Sequence, residues 1–230
     1  MSVKTVTIPD IGTVKLTKRR GAKSIRLSIG ADNSVRVSLP TWVPYQAGVA
    51  FISSKKAWIA KHKKSEILLK EGDQIGKSHR MRFATKDQLK PVTRVTKADV
   101  TITIPVATDP ASKTVQDLAK KAAMRALKQE CEALLPIRLK QLADKHGFTY
   151  NSVHVKRLKS RWGSCSQQSD ITFNIFLMQL PWQLIDYVIL HELVHTKVLN
   201  HSKQFWDVFD SCLPGAKKLR RELHDYHPYF

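Results

Sequence analysis

Residues 189–201 read ILHELVHTKVLNH, and the rest of the chain is best understood as support for this segment. His191 and His195 are four positions apart, so on an α-helix their imidazoles project from the same face and can bind one metal ion. Glu192 lies one position further along, with its carboxylate near a remaining coordination position. The segment therefore predicts a helix that carries a metal site with an acidic side chain beside it.

A third protein ligand is needed, because a catalytic zinc usually has three protein ligands and keeps one position for water. The candidate is His201. On a continuous helix its side chain would lie about 240° around the axis from His195 and would face away from the metal. The helix must therefore end before His201. Asn200 is the residue expected to end it, since asparagine tolerates a left-handed C-cap.

The flanking residues favour a metal site over two histidines on an ordinary buried helix. Pro181 stands at the expected first turn. An apolar face follows at helical spacing and consists of Trp182, Ile185, Val188 and Ile189. Cys165 is a rival ligand, but an isolated cysteine is more often a small buried hydrophobic residue. The three histidines already supply the number of ligands that a catalytic zinc requires.

Further motifs extend the pattern on both sides of the helix. They read LKSRWGSCS at 158–166, ITFN at 171–174, IDYVILHELVH at 185–195, NHS at 200–202 and FW at 205–206. With these motifs the chain resembles the YgjP-like metallopeptidase family, which is related to the SprT-like zincins. The resemblance is strong from Ser152 to Cys212 and weaker in the N-terminal strands.

The resemblance implies a zinc metallopeptidase of the zincin type, whose HExxH motif supplies His191 and His195 and whose third ligand is His201. It also implies that Glu192 is the catalytic base. The glutamate would take a proton from a zinc-bound water as that water attacks the carbonyl of a peptide bond. Zn²⁺ is thus the expected cofactor, and a protein or peptide is the expected substrate.

Two other functional classes stay open. Some members of the family are labelled nucleotide phosphohydrolases, so a metal-dependent nucleoside triphosphate phosphohydrolase is one alternative. Only nine glycines are present, and none forms a Gly-rich loop that would cradle phosphates. A nucleic-acid-associated protein with a structural zinc is the other alternative. Four protein ligands would then surround the metal, and Glu192 would be dispensable.

Three residues are candidates for substrate binding or for support of the site. Arg161 and Tyr187 are candidates for the second electrophile that normally stabilises an oxyanion, together with the C-terminal His224 and Tyr226. Asn174 is a candidate hydrogen-bond partner for a ligating histidine, or else a turn or strand-edge residue. None of these residues has a spacing that singles it out.

The chain is strongly basic, with 39 Lys and Arg against 19 Asp and Glu and a formal net charge of +20. Such a surplus favours polyanionic partners, and nucleic acid bound through a basic surface is the first candidate. The alternative is an enzyme whose charge is spread over the surface. The sequence shows neither a secretory signal nor a run of about eighteen apolar residues, and its three cysteines are too few for a disulfide framework. We therefore expect a cytoplasmic protein without a membrane partner.

Hydrophobic periodicity predicts an α+β fold in two domains. Residues 1–108 are predicted to form a β-rich N-terminal domain with one basic helix at Tyr45–Leu69. Residues 109–230 are predicted to form a zincin-like helical metallopeptidase domain with a small antiparallel sheet. The edge of this sheet is the candidate platform for an extended peptide. A long helix, Lys113–Lys145, is expected to be kinked or divided at Pro136.

Individual strands are predicted within the N-terminal region. Alternating apolar residues at 25–29 and 35–39, on either side of a turn, indicate a β-hairpin. The same alternation predicts further strands at 79–84 and 99–104.

Overall fold

The computed structural model describes residues 2–30, 34–62 and 67–226. Within these ranges, helices and three small sheets make the fold α+β, as predicted. The chain separates into two compact units, Met1–Glu66 and Ile67–Pro228. This division falls earlier than the predicted boundary at residue 109. The reason is that the strands between 80 and 105 pack against the long helix of the second unit.

The first unit contains a four-stranded sheet, here called the first sheet. Its strands are β1 (Val3–Ile8), β2 (Gly12–Arg19), β3 (Arg26–Ile29) and β4 (Val35–Pro40), in the order β1-β2-β4-β3. The predicted hairpin is confirmed, since β3 and β4 pair antiparallel. The β1 and β2 strands also pair antiparallel, whereas β2 and β4 run parallel.

Two helices cover one face of the first sheet. The single basic helix predicted for residues 45–69 is instead α1 (Tyr45–Ser54) followed by α2 (Lys56–His62). Residues 63–66 lie outside the described ranges, and Ile67–Leu69 are not helical. The apolar side chains of β2 and β4 pack against Ile52 and Ile59 of these helices.

The second unit begins with a three-stranded sheet and a long helix. The strands of this second sheet are β5 (Arg80–Lys86), β6 (Val92–Val95) and β7 (Asp99–Pro105), in the order β5-β7-β6. Strands β5 and β7 confirm the two predicted strands, and β6 was missed. Helix α3 (Lys113–His146) packs against β6 and β7. Pro136 lies inside α3 without dividing it, and Gly147 ends the helix with a left-handed φ of 66°.

The third sheet lies beside the candidate site. Its strands are β8 (Ser152–Lys156), β9 (Gly163–Cys165) and β10 (Asp170–Asn174), in the order β8-β10-β9. Strand β10 is antiparallel to β9 but parallel to β8, so the prediction of a purely antiparallel sheet is wrong. The cause is the chain path: after β8 the chain forms the outer strand β9, and it then returns as the central strand in the direction of β8.

The remaining helices complete the second unit. A short 3-10 helix (Ile175–Gln179) leads into α4 (Trp182–His195), and α5 (Lys203–Cys212) and α6 (Ala216–His224) follow. Helix α4 packs against α3, α5, α6 and β9, so nine of its fourteen residues are buried. Among the described helices, none is both long and apolar enough to cross a membrane.

Candidate metal centre

Three histidines meet at the C-terminal end of α4. His191 and His195 lie one turn apart on this helix, and His201 approaches them from the loop before α5. One ring nitrogen of each histidine lies within 4.8 Å of the others. The Nε2 atoms of His191 and His201 are 3.0 Å apart. Within the described ranges, this is the one group of three or more His, Cys, Asp or Glu side chains close enough to share a metal ion.

Helix α4 ends before His201, as the geometry requires, but Asn200 is not the residue that ends it. Thr196 caps α4 in a right-handed conformation, and its Oγ1 donates a hydrogen bond to the carbonyl of Leu193 at 2.8 Å. Asn200 does not adopt the left-handed conformation that was predicted for it. Its side-chain oxygen instead accepts a hydrogen bond from the backbone N–H of Ser202 at 3.2 Å. Asn200 therefore shapes the turn that carries His201 towards the helix.

The protonation of the rings leaves lone pairs for a ligand. Nδ1 of His195 donates to the carbonyl of Val198 at 3.0 Å, so Nε2 of that ring carries the free lone pair. Burial, together with the neighbouring His195, His201 and Arg220, lowers the pKa of His191 to about 3, which keeps this ring neutral. The buried Nδ1 of His191 has no hydrogen-bond partner among the described residues.

This donor set fits a zinc ion. Neutral imidazoles are common zinc ligands, and two nitrogens bound to one tetrahedral zinc at about 2.1 Å lie about 3.4 Å apart. The 3.0 Å between Nε2 of His191 and Nε2 of His201 is close to that distance. Cys165 is not part of this group of side chains, and burial raises the pKa of its thiol to about 11.

An aromatic cluster holds the three rings from behind. The ring of Phe205, on α5, is fully buried and lies 5.0, 4.7 and 4.8 Å from the ring centroids of His191, His195 and His201. Phe209 packs edge-on against His191 at 5.7 Å. Helix α5 therefore packs against α4 behind the three histidines.

Glu192 lies in the same helical turn as His191, and it is buried, with 5% of its surface exposed. Its carboxylate has no hydrogen-bond partner among the described residues. Burial raises the pKa of Glu192 to about 8, although the positive charge of Arg161 acts in the opposite direction. Arg161 itself is exposed to solvent, and its charge is close enough to act on the pKa of the buried Glu192 carboxyl group.

Gly163 on β9 lies directly against Glu192. A Cβ atom at position 163 would lie 2.7 Å from Oε1 and 2.8 Å from Cγ of Glu192, so any side chain there would force Glu192 to shift. Sequence analysis assigned no role to Gly163. A usable signal was present, since an isolated glycine inside a strand often marks a close approach of the backbone to another group.

Strand β9 also forms an open edge of the third sheet. Asn174 N donates to Trp162 O at 2.8 Å, and Ser166 N donates to Asp170 O at 2.9 Å, so alternate residues of this segment face β10. The backbone N–H and C=O groups of Gly163 and Cys165 therefore face away from the sheet. The open edge and the buried carboxylate meet at Gly163.

The other predicted site residues have different surroundings. Tyr187 is buried, and its ring stacks on His191 at 6.1 Å and packs edge-on against Phe209 at 5.1 Å. Burial raises the pKa of Tyr187. His224 and Tyr226 are exposed at the end of α6. Tyr187 therefore supports a ligand ring from the core side.

Asn174 makes no hydrogen bond to a histidine among the described residues; of the two roles that the sequence left open, it has the one at the end of a strand. Its Nδ2 donates to the carbonyls of Leu158 and Arg161 at 3.0 and 2.8 Å. Its Oδ1 accepts from the backbone N–H of Phe176 at 3.4 Å and caps the 3-10 helix. The side chain thereby ties down the loop that leads to Arg161 and Gly163.

Two histidines and a buried glutamate on one helix, with a third histidine from the loop that follows, are typical of metal-dependent peptidases. More specifically, the chain belongs to the YgjP-like, metallopeptidase domain family, which matches residues 23–226. The family is one of metallopeptidases, so a metal cofactor and protein or peptide substrates follow from membership.

Two solved structures are similar to part of the chain. The metallopeptidase zymogen of Pyrococcus abyssi abylysin is 26% identical and matches 38% of this chain and 90% of its own, with a TM-score of 0.35. The metallopeptidase zymogen of Methanocaldococcus jannaschii jannalysin is 18% identical, with the same coverage and TM-score. No curated protein matches the sequence.

Proposed function

We propose that this protein is a zinc-dependent metallopeptidase that hydrolyses peptide bonds with Glu192 as the general base. The observation that carries the proposal is the convergence of three imidazoles in the same region of α4 as the buried glutamate Glu192. His191, His195 and His201 would hold the ion. When bound, the ion would acidify a water molecule and polarise the scissile carbonyl.

Glu192 is suited to move a proton at this position. The carboxylate is buried and accepts no hydrogen bond from the described chain, so its oxygens are available to the proton of an attacking water. It can then pass that proton to the nitrogen of the leaving amine. Gly163 holds the carboxylate from the other side, which limits the positions that the side chain can adopt.

The open edge of β9 is suited to hold an extended peptide. The outward N–H and C=O groups of Gly163 and Cys165 would pair with the substrate backbone as an added strand. Such a strand would run directly past Glu192, because Gly163 contacts that carboxylate. Of the four residues considered for stabilising the oxyanion, Arg161 is the best placed. It is exposed, and its charge is close enough to affect the pKa of Glu192.

The test compares substrates and variants. The zinc-loaded wild type is incubated separately with a labelled unfolded protein and with nucleoside triphosphates, and metal content is measured for the wild type, Glu192→Gln and His201→Ala. We expect proteolysis by the wild type alone, about one zinc per chain in wild type and Glu192→Gln, and a loss of zinc in His201→Ala.

Two results would contradict the proposal. Phosphate release from nucleoside triphosphates without proteolysis would favour a nucleotide phosphohydrolase that uses the same ligands. Full activity of Glu192→Gln would favour a structural zinc, because a closed metal site does not need the carboxylate.

A further inference from the structure

The positive charge is concentrated in the first unit. Residues 1–66 contain thirteen Lys and Arg but only three Asp and Glu, so this stretch carries +10 of the net charge of +20 in less than a third of the chain. Asp10, the one acidic residue of this unit within the described ranges, pairs with Lys56 of α2 at 3.2 Å. The stretch therefore has far fewer acidic than basic side chains.

Four of these cations lie on one face of the first sheet. Side chains alternate along a strand, and the apolar set of the first sheet faces α1 and α2. The opposite side chains form the surface that we call the outer face of the first sheet. It consists of Val3, Thr5, Thr7, Thr13, Lys15, Thr17, Arg19, Arg26, Ser28, Arg36 and Ser38. These strand positions include four cations, six hydroxyl side chains and no carboxylate.

The register brings like charges together on this face. Lys15 of β2 is the direct partner of Arg36 in β4, and both are exposed. In the pairing of β3 with β4, Ser28 is the partner of Arg36, and Arg26 is the partner of Ser38. Like charges directly opposite each other on one sheet face are destabilising, and neighbouring strands lie only about 4.8 Å apart. An anion bound over this pair would be attracted by both side chains.

We propose that the outer face of the first sheet binds the phosphodiester backbone of a nucleic acid without reading its sequence. Lysine and arginine neutralise phosphates, and Ser and Thr hydroxyls donate hydrogen bonds to phosphate oxygens. The face has one apolar side chain, Val3, so it lacks the apolar anchors that membrane binding would need. This surface therefore fits a chain of phosphates better than a lipid surface.

An exposed aromatic side chain lies next to this face in the chain. Trp42 is 69% exposed and follows Pro40, which is the register partner of Arg19 at the end of β2. A tryptophan at the margin of a cationic surface can stack on an unpaired base. We therefore expect a single strand to bind at least as tightly as a duplex.

The experiment measures binding of the full chain to a labelled single-stranded oligonucleotide and to its duplex, by fluorescence anisotropy between about 50 and about 200 mM salt. The face variant is Lys15→Gln/Arg26→Gln/Arg36→Gln. Its matched control, Lys86→Gln/Lys90→Gln/Lys121→Gln, removes three exposed charges from the second unit. Both variants have the same net charge, so a difference between them reports the location of the binding surface.

We expect the face variant to bind about tenfold or more weakly at low salt, with a salt slope shallower by about 2 to 3, and the control to stay within about twofold of the wild type. The charge-preserving variant Lys15→Arg/Arg26→Lys/Arg36→Lys should bind like the wild type. Equal losses in the face variant and the control would overturn the proposal. So would binding to phosphatidylserine vesicles in the absence of oligonucleotide binding. Binding requires no peptide cleavage, so this proposal is independent of the peptidase proposal.

Discussion

Two glutamates of the second unit are equally buried and have opposite surroundings. Glu130 on α3 is 4% exposed, and Glu192 on α4 is 5% exposed. Each lies against a glycine, since a Cβ at Gly76 would be 2.2 Å from Oε2 of Glu130 and one at Gly163 would be 2.7 Å from Oε1 of Glu192. Burial alone therefore does not distinguish the two side chains.

Hydrogen bonding does distinguish them. The Glu130 carboxylate accepts bonds from the backbone N–H groups of Lys77, Ser78 and His79 and from Nδ1 of His79, at 2.5 to 3.0 Å. Burial raises its pKa, but these four donors outweigh burial and hold the pKa of Glu130 below its usual value. Nε2 of His79 then donates to the carbonyl of Thr96 at 2.8 Å.

Glu192 has none of these donors, and burial raises its pKa to about 8. A buried carboxyl group with a strongly raised pKa next to a cluster of possible metal ligands is more typical of a functional site than of a structural one. A saturated carboxylate joins two segments that are far apart in sequence. We infer that Glu130 stabilises the fold and that Glu192 serves the chemistry, and the two can be separated by matched substitutions.

The largest expected effect is on activity. Glu192→Gln should lower kcat/KM for peptide hydrolysis by about 10³-fold, because the amide cannot accept the proton. Its free energy of unfolding should not fall, since an amide replaces a carboxyl group that makes no hydrogen bond to the described residues. Peptide cleavage and urea unfolding measure the two effects. A destabilised Glu192→Gln with normal activity would reverse the assignment of the two glutamates.

The opposite substitution should affect stability. Glu130→Gln should lower the free energy of unfolding by about 3 kcal/mol, because one partner of a buried hydrogen-bonded pair is lost. Activity per folded molecule should stay near that of the wild type. Glu132→Gln is the matched control, since Glu132 lies two positions away in an exposed pair with Lys128. That control should change stability by less than about 0.5 kcal/mol.

Substitution of Gly163 and of Gly76 tests the same difference between Glu192 and Glu130. Gly163→Ala should lower kcat/KM by about 10- to 100-fold, because the new methyl group displaces Glu192. Gly76→Ala should leave activity unchanged and lower the free energy of unfolding by about 1 to 3 kcal/mol, because it displaces Glu130. The idea would be contradicted if Gly76→Ala impaired catalysis as much as Gly163→Ala in fully folded samples.

The sequence alone identified those residues of the site that lie close together in the chain. Helical periodicity alone put His191 and His195 on one face, and the need for a third ligand pointed to His201. The structure brings these three together. Such spacing rules work because all the residues lie within or next to one helix.

The missed features depend on contacts between distant parts of the chain. Glu130 and His79 are 51 positions apart, and no local pattern connects an interior helix position to the loop before β5. Gly163 contacts Glu192, which lies 29 positions later in the chain. Asn174, at the end of β10, donates to the carbonyl of Arg161 in the loop between β8 and β9. The parallel pairing of β8 with β10 has the same origin, because strand order is set by tertiary packing rather than by hydrophobic alternation.

The smallest expected effect is the pH dependence of the Glu130 contribution. The pKa of Glu130 is lower in the folded chain than in the unfolded chain, so its stabilisation is present above the unfolded pKa of about 4.3 and is lost as the pH falls through the folded value. The difference in unfolding free energy between wild type and Glu130→Gln should therefore narrow below about pH 4.5, by about 1.4 kcal/mol for each unit of pKa depression. Urea unfolding of both proteins at pH values from neutral to acidic measures this difference. A constant difference would mean that His79 and the three N–H groups bind the protonated carboxyl as well as the carboxylate.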